Sequence, residues 1–112
     1  MKVELRNVGD VAILDLKGKF VLGDSEDAFH EGLVKALEGG KTKLLLNMKD
    51  VSVLDSSGLG EVVRAKATCA KKGAQVKLLN VQGKIYDLLM LTQITGVFEI
   101  INDETKAVAS FK

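Results

Sequence analysis

The sequence predicts an α/β domain: a mostly parallel sheet of about five strands with an antiparallel hairpin at its N-terminal edge, and about four helices. Short β-type runs and helical apolar stripes alternate from about residue 11 onward, and such alternation requires crossover connections between parallel strands. A length of 112 residues, with 46% hydrophobic and 28% charged residues, suits one globular core. We therefore expect a single domain over residues 1–112, and neither a disordered chain nor a coiled coil.

The N-terminal segment predicts a β-hairpin. Two β-type runs, residues 3–5 and 11–16, flank Asn7-Val8-Gly9-Asp10, whose residue types tolerate the backbone conformations of a tight turn. The second run is almost continuously apolar, which is typical of a strand covered on both faces. The hairpin therefore supplies the antiparallel edge of the sheet.

A first helix and a buried strand follow the hairpin. Asp24 or Ser25 can cap the helix at its start, and Gly39-Gly40 ends it. The Leu-rich run of residues 43–47 then predicts a buried strand. The apolar residues of the helix share one stripe at helical spacing: Phe29, Leu33, Ala36 and Leu37.

The second half of the chain continues the alternation. Gly73 ends a second helix, and residues 74–79 form the next strand. The apolar stripe of that helix consists of Leu59, Val62, Val63, Ala67 and Ala70. Residues 84–92 have helical spacing, residues 97–101 are a β-branched apolar run, and Asp103 can cap a last helix. The sequence thus predicts a helix after each of the last three strands.

Charge and composition exclude several classes of function. The formal net charge is +1 and the basic residues are scattered, which argues against nucleic-acid binding. The N-terminus has no signal-peptide pattern, Cys69 has no partner for a disulfide, and no apolar run approaches the ~20 residues of a membrane span. We expect a cytoplasmic protein that does not contact membranes. We place His30 on the surface and Met48, Met90 and Cys69 in or near the core.

The junction of residues 51–60 is the candidate functional segment, because open α/β sheets carry their sites where strands lead into helix N-termini. Asp55, Ser56 and Ser57 crowd one helix start and are followed by Gly58 and Gly60. One interpretation is structural: any of the three polar residues caps the helix. The other is functional: a serine hydroxyl is exposed at the positive end of a helix, where an added phosphate is stabilised.

Other chemistry finds little support in this sequence. The junction lacks the third glycine of a dinucleotide fingerprint, the Lys and Ser/Thr of a P-loop, and the glycine that precedes the serine of a hydrolase elbow. A catalytic triad would have to recruit His30, and one His with one Cys makes no transition-metal site. A small ligand such as a nucleotide or anion stays an alternative, although no basic residue lies between Lys49 and Arg64.

Residues 44–60, ending in Asp55-Ser56-Ser57-Gly58-Leu59-Gly60, resemble the STAS domain of bacterial anti-sigma-factor antagonists. The order and spacing of the segments on either side resemble that family over almost the whole chain. The resemblance implies a switch protein that has no enzymatic activity, needs no cofactor or metal, and binds an anti-sigma factor with serine kinase activity. The unphosphorylated form would hold that partner and free a sigma factor, and a serine phosphatase would restore it.

The resemblance also implies roles for individual residues. Ser56 matches the phosphorylated serine, and Asp55, Ser57, Gly58 and Leu59 match the partner-binding surface around it. The sequence departs from the family where Gly18-Lys19-Phe20-Val21 has valine in place of a common aspartate, and the next carboxylate is Asp24. Asp24 is therefore expected either to bind the partner or only to cap the first helix. Nothing in the sequence decides the oligomeric state.

Overall fold

The structure, a computed structural model, describes residues 1–21, 23 and 26–111, with Glu26 described by its backbone only. The described strands form one sheet in the order β1-β2-β3-β4-β5. Strands β1 and β2 pair antiparallel and the other neighbours pair parallel. The strands are β1 Lys2–Val8, β2 Val11–Phe20, β3 Lys43–Leu54, β4 Gln75–Leu79 and β5 Ile100–Ile101.

Helices cover both faces of the sheet. Three of them pack on one face over the larger apolar core, which includes Phe29, Val62 and Leu89. The fourth packs on the other face over a smaller core that includes Ala107. Among the described helices, none is long and apolar enough to cross a membrane. The helices are α1 Glu26–Glu38, α2 Ser56–Lys71, α3 Gly83–Leu91 and α4 Glu104–Ala109.

These observations confirm the predicted fold class: one domain with a mixed sheet, an antiparallel N-terminal hairpin and helices in the crossovers. The hairpin turn passes through Gly9, whose φ of 60° lies in the left-handed region that glycine adopts readily. Asp103 caps α4 as predicted, since its carboxylate accepts a hydrogen bond from the Lys106 N–H at 2.9 Å. The predicted cap of α1 at Asp24 or Ser25 lies outside the described residues.

Strands β2 and β3 are longer than the sequence predicts. We expected them to end at Leu16 and Asn47, whereas they continue to Phe20 and Leu54. The extensions pair with each other past the end of β4, with Phe20 opposite Leu54. In the extension of β3, Met48, Val51 and Leu54 are buried. The exposed polar residues Lys49, Asp50 and Ser52 lie between them, so the sequence shows no continuous apolar run there.

Two other predictions need correction. Of residues 97–101, only Ile100–Ile101 forms a strand, which pairs with Leu78 and Leu79 of β4, and a short 3-10 helix over Ile94–Gly96 precedes it. Met90 was expected near the core but is 54% exposed on α3, whereas Met48 and Cys69 are buried as predicted. His30 is exposed, in agreement with its predicted surface position.

A polar network crosses the α4 face of the sheet. The guanidinium of Arg6 donates to Asp15 at 2.6 Å and to Glu104 of α4 at 3.0 Å. Asn47 donates to the other oxygen of Asp15 at 2.7 Å, and Asn80 donates to Asn47 at 3.0 Å. Burial works to raise the pKa of Asp15, but hydrogen bonds from Arg6 and Asn47 outweigh it and hold that pKa below its ordinary value. The network therefore ties α4 to the first three strands and to Asn80, which directly follows β4.

Candidate functional site

Helix α2 begins immediately after β3, and Asp55 is its N-cap. Asp55 has extended backbone angles, φ −99° and ψ −176°, and its Oδ1 accepts a hydrogen bond from the Gly58 N–H at 2.9 Å. Its carbonyl oxygen accepts the first intrahelical bond, from the Leu59 N–H at 2.9 Å. Of the three candidate caps in the sequence, the structure therefore selects Asp55.

Ser56 is the first residue of α2, and its side chain is exposed. Ser57, the second residue, is half-buried. A helix needs one side-chain cap, and Asp55 already supplies it. The Ser56 hydroxyl thus stands at the positive end of the helix without serving as its cap, where another protein can reach it.

Gly58 holds the start of α2 close to the ends of β2 and β3. A Cβ atom at this position would lie 2.2 Å from the Phe20 carbonyl oxygen and 2.8 Å from Leu54 Cδ1. Gly58 is buried, so its part in the site is to permit this close approach. Gly60 differs, because a Cβ there would meet only the end of Arg64, at 3.9 Å.

The end of β2 supports the same turn through Phe20. The Asp55 N–H donates to the Phe20 carbonyl oxygen at 3.3 Å. The fully buried Phe20 ring packs against Phe29 of α1, with 5.0 Å between ring centroids. The first turn of α2 is therefore fixed by β2, β3 and α1 together.

The structure brings five of the predicted site residues into this one turn: Asp55, Ser56, Ser57, Gly58 and Leu59. Leu59 is half-buried and packs against the larger core. The sixth predicted residue, Asp24, lies outside the described residues. What the sequence analysis missed is a pair of apolar neighbours, Val53 and Val63, which are 44% and 36% exposed.

The spacing of these residues defines one surface. Ser56, Gly60 and Val63 are separated by four and then three residues, so they lie on one side of α2. Val53 precedes the helix at the end of β3. We call this surface the Ser56 face: Ser56, Gly60 and Val63. The helical spacing from Ser56 could have placed Val63 on this surface. Its position in the apolar stripe of the helix instead led us to expect it in the core.

The alternative function, binding of a nucleotide or anion at the N-terminus of α2, gains no support from the cavity described next. A cavity of about 620 Å³ lies against α3 and β5, lined by residues such as Tyr86, Phe98 and Asn102, and none of residues 55–59 lines it. In the described part of the chain, no group of three His, Cys, Asp or Glu residues is placed to hold a metal ion. Further along α2, the guanidinium of Arg64 forms a surface ion pair with the Glu61 carboxylate, with 2.5 Å between nitrogen and oxygen.

The fold and the site define a STAS domain. The family model described as the STAS domain matches residues 2–107, and the chain belongs to the STAS domain family. The chain is 36% identical over 83 residues to the anti-sigma-B factor antagonist of Bacillus subtilis (strain 168), and the matched region spans 74% of this chain and 72% of the relative.

Solved structures agree on the fold. An anti-sigma factor antagonist from Mycobacterium paratuberculosis superposes with a TM-score of 0.85 at 13% identity, over 97% of this chain and 92% of that one. The Bacillus cell fate determinant SpoIIAA, in its phosphorylated form, superposes with a TM-score of 0.71 at 17% identity, over 97% of this chain and 99% of that one. At these identities the likeness is one of fold.

Proposed function

We propose that this chain is an anti-sigma factor antagonist that phosphorylation of Ser56 switches off. The unphosphorylated form binds an anti-sigma factor that is also a serine kinase, and so releases a sigma factor. A serine phosphatase reverses the modification. The observation that carries this proposal is the exposed Ser56 at the first position of α2, on a turn capped by its neighbour Asp55.

The proposed action is binding and not catalysis, without cofactor, metal, nucleic acid or membrane, and we place it in the cytoplasm. The similarity to the anti-sigma-B factor antagonist of Bacillus subtilis supports the proposed partner class. The phosphorylated form of SpoIIAA supports the proposed chemistry, because a protein of the same fold carries that modification.

The Ser56 face suits a partner that covers the hydroxyl. Val63 is an exposed apolar side chain on the same side of α2. A partner that buries Val63 would also cover Ser56 and remove it from water. Ser57 and the half-buried Leu59 complete the predicted contact surface, while Gly58 positions it from beneath.

Phosphate at Ser56 adds about −1.5 to −2 charges at pH 7. The positive end of α2 tolerates this charge in the free protein, because the first N–H groups of a helix have no acceptor within it. The Asp55 carboxylate, fixed on the Gly58 N–H, adds negative charge beside it. A partner surface that closes over both groups would have to bury them, and burial of an unpaired dianion opposes binding.

The change in binding free energy that such a switch requires follows from the equilibrium between the bound and free forms. Moving a complex from mostly bound to mostly free takes about 5.5 kcal/mol of differential binding. Repulsion and desolvation at a covered face are of that order when the charge is fully enclosed. Because β2, β3 and α1 fix the first turn of α2, the switch needs no rearrangement of the domain.

The test combines modification with binding. The purified chain is incubated with ATP and a serine-kinase anti-sigma factor encoded in the same genome, and peptide mass spectrometry locates the phosphate. We expect a single phosphate on Ser56, retained in Ser57→Ala and lost in Ser56→Ala. Calorimetric titration should then show binding of the unmodified chain and none of the phosphorylated chain. Labelling that survives Ser56→Ala, or equal binding by both forms, would contradict the proposal.

A further inference from the structure

Strand β1 lies at one edge of the described sheet and pairs with β2 alone. We propose that two copies of this chain associate through this edge, with their β1 strands antiparallel about a two-fold axis at Leu5. The two sheets then join into one continuous sheet. This surface is separate from the Ser56 face, and the proposal does not depend on the function of that face.

The two sides of β1 differ in chemistry. Val3 and Leu5 face α1: Val3 packs against the larger core, and its Cγ1 would lie 2.7 Å from a Cβ at Gly32 of α1. Glu4 and Arg6 lie on the opposite side, where Arg6 binds Glu104 of α4. Directly opposite residues of an antiparallel pair share a side of the sheet, so Leu5 can face only residues of the α1 side, and Glu4 and Arg6 can face only residues of the opposite side.

The charges then select one register. A pairing centred on Glu4 sets Glu4 against its own copy and Lys2 against Arg6, which places like charges opposite each other. A pairing centred on Arg6 sets two guanidinium groups together. A pairing centred on Leu5 sets Glu4 against Arg6 of the other copy, twice by symmetry, with Leu5 against Leu5. The charges of Glu4 and Arg6 are therefore complementary in this register and repulsive in the adjacent ones.

An exposed apolar strip lies at the centre of the proposed contact. Leu5 is 39% exposed, and a groove of about 150 Å³ runs between β1 and α1 beside it. The α1 residues on the floor of this groove include the small Ala28 and Gly32. Leu5 of a second copy would cover this strip and remove it from water.

The charges at this edge are already held in place. Arg6 is bound by Asp15 and Glu104, and Glu4 is bound by Lys2 and Lys17 at 3.3 and 3.2 Å. Both side chains nevertheless stay accessible, with 38% of Arg6 and 45% of Glu4 exposed. Charged edges commonly prevent strand pairing. Here the same charges oppose wrong registers and favour the symmetric one.

Crosslinking tests the register. Residues directly opposite in an antiparallel pair have Cα atoms about 4.5 to 5.5 Å apart, within the range of a disulfide. Leu5→Cys should therefore form a disulfide-linked dimer under mild oxidation. In the matched variant Asn7→Cys, residue 7 faces Val3, so its two copies lie roughly 14 Å apart along the strands. The native Cys69 is fully buried and does not compete.

We expect Leu5→Cys to crosslink at least about tenfold faster than Asn7→Cys at equal protein concentration. Equal rates, or faster crosslinking of Asn7→Cys, would overturn the proposed register. Circular dichroism of both reduced variants confirms that they are folded before oxidation. Mass spectrometry of the product identifies the sulfur atoms that are joined.

Sedimentation equilibrium tests the association itself without a crosslink. An edge contact of this length is small and therefore weak, so the unmodified chain is measured up to about 1 mM. We expect a monomer–dimer equilibrium that Glu4→Lys weakens at least about tenfold, because the introduced ammonium group would face Arg6 of the other copy. Glu38→Lys makes the same charge change at the exposed end of α1 and should leave it unchanged. A monomer at every concentration, or equal weakening by both variants, would overturn the proposal.

Discussion

The backbone N–H of Asp55 donates a hydrogen bond to the carbonyl oxygen of Phe20, with 3.3 Å between the two atoms. This bond joins the N-cap of α2 to the last residue of β2. The same Phe20 carbonyl oxygen lies against Gly58, where a Cβ would approach it to 2.2 Å. The position of the candidate phosphorylation site is thus set by a strand that is distant in sequence.

Gly58→Ala should destabilise the domain by about 1 to 3 kcal/mol, because the added methyl group has no space beside Phe20 and Leu54. Gly60→Ala is the matched control in the same helix. Its added methyl group meets only the end of Arg64, so improved helix propensity should stabilise the domain by about 0.5 to 1 kcal/mol. Urea denaturation measures both changes, and effects of the same sign would contradict this account.

Asp55→Ala should cost about 1 kcal/mol of unfolding free energy, because the Gly58 N–H loses its side-chain acceptor. Asp55→Asn keeps an acceptor oxygen and should remain within a few tenths of a kcal/mol of the original chain. Chemical denaturation followed by circular dichroism distinguishes them. If Asp55→Asn were as unstable as Asp55→Ala, charge and not capping would be the dominant contribution.

Ser56→Ala and Ser56→Asp should both unfold within about 0.5 kcal/mol of the original chain, because the Ser56 side chain is exposed. Their partner binding should differ. Ser56→Ala should bind the proposed anti-sigma factor partner as the original chain does, whereas Ser56→Asp should bind at least about tenfold more weakly. Titration calorimetry measures the affinities. A large loss of stability in Ser56→Asp would assign its effect to folding and contradict the charge mechanism.

Asp15→Asn should destabilise the domain by about 1 to 2 kcal/mol at pH 7, through its weakened bonds with Arg6 and Asn47. The pKa of Asp15 is lowered in the folded state, so its carboxylate contributes stability that is fully present above the unfolded-state pKa of about 3.9. That contribution is lost as the pH falls through the lower, folded-state pKa. Urea titrations should therefore show the difference between the two chains shrinking as the pH falls below about 3.9, and an unchanged difference would contradict this assignment.

Cys69 should react with a disulfide reagent only when the domain opens. Its side chain is fully buried, and burial raises the pKa of its thiol to about 11. At pH 8 the labelling rate should rise with urea concentration in parallel with unfolding. Fast labelling of the native chain, at the rate of an exposed cysteine in a short peptide, would contradict this prediction.

The sequence predicted the order of the elements well because most of them carry strong local patterns. The stripe that begins at Phe29 and the leucines at residues 44–46 each indicate one type of element. The same local information found the turn at Asp55 and Ser56, since caps and glycines gather there. It could not choose which of the three polar residues caps the helix, because that choice depends on Phe20 and the length of β2.

What the sequence could not predict depends on contacts between distant segments. Arg6 and Glu104 lie near opposite ends of the chain, and no periodicity indicates that they meet. The extension of β3 to Leu54 depends on pairing with β2, which overrides its polar interruptions. The exposure of Val63 was missed for a related reason, because a helical stripe shows its apolar side but not how far the neighbouring elements cover it.

Gly58 has a consequence for genetic screens of this protein. A selection that reports only whether the partner is captured would score substitutions of Gly58 alongside those of Ser56, although Gly58 is buried. The defect at Gly58 arises from crowding against Phe20, so it would lower the amount of folded chain in the cell. Measuring the amount of folded protein together with partner capture would distinguish substitutions of Gly58 from those of Ser56.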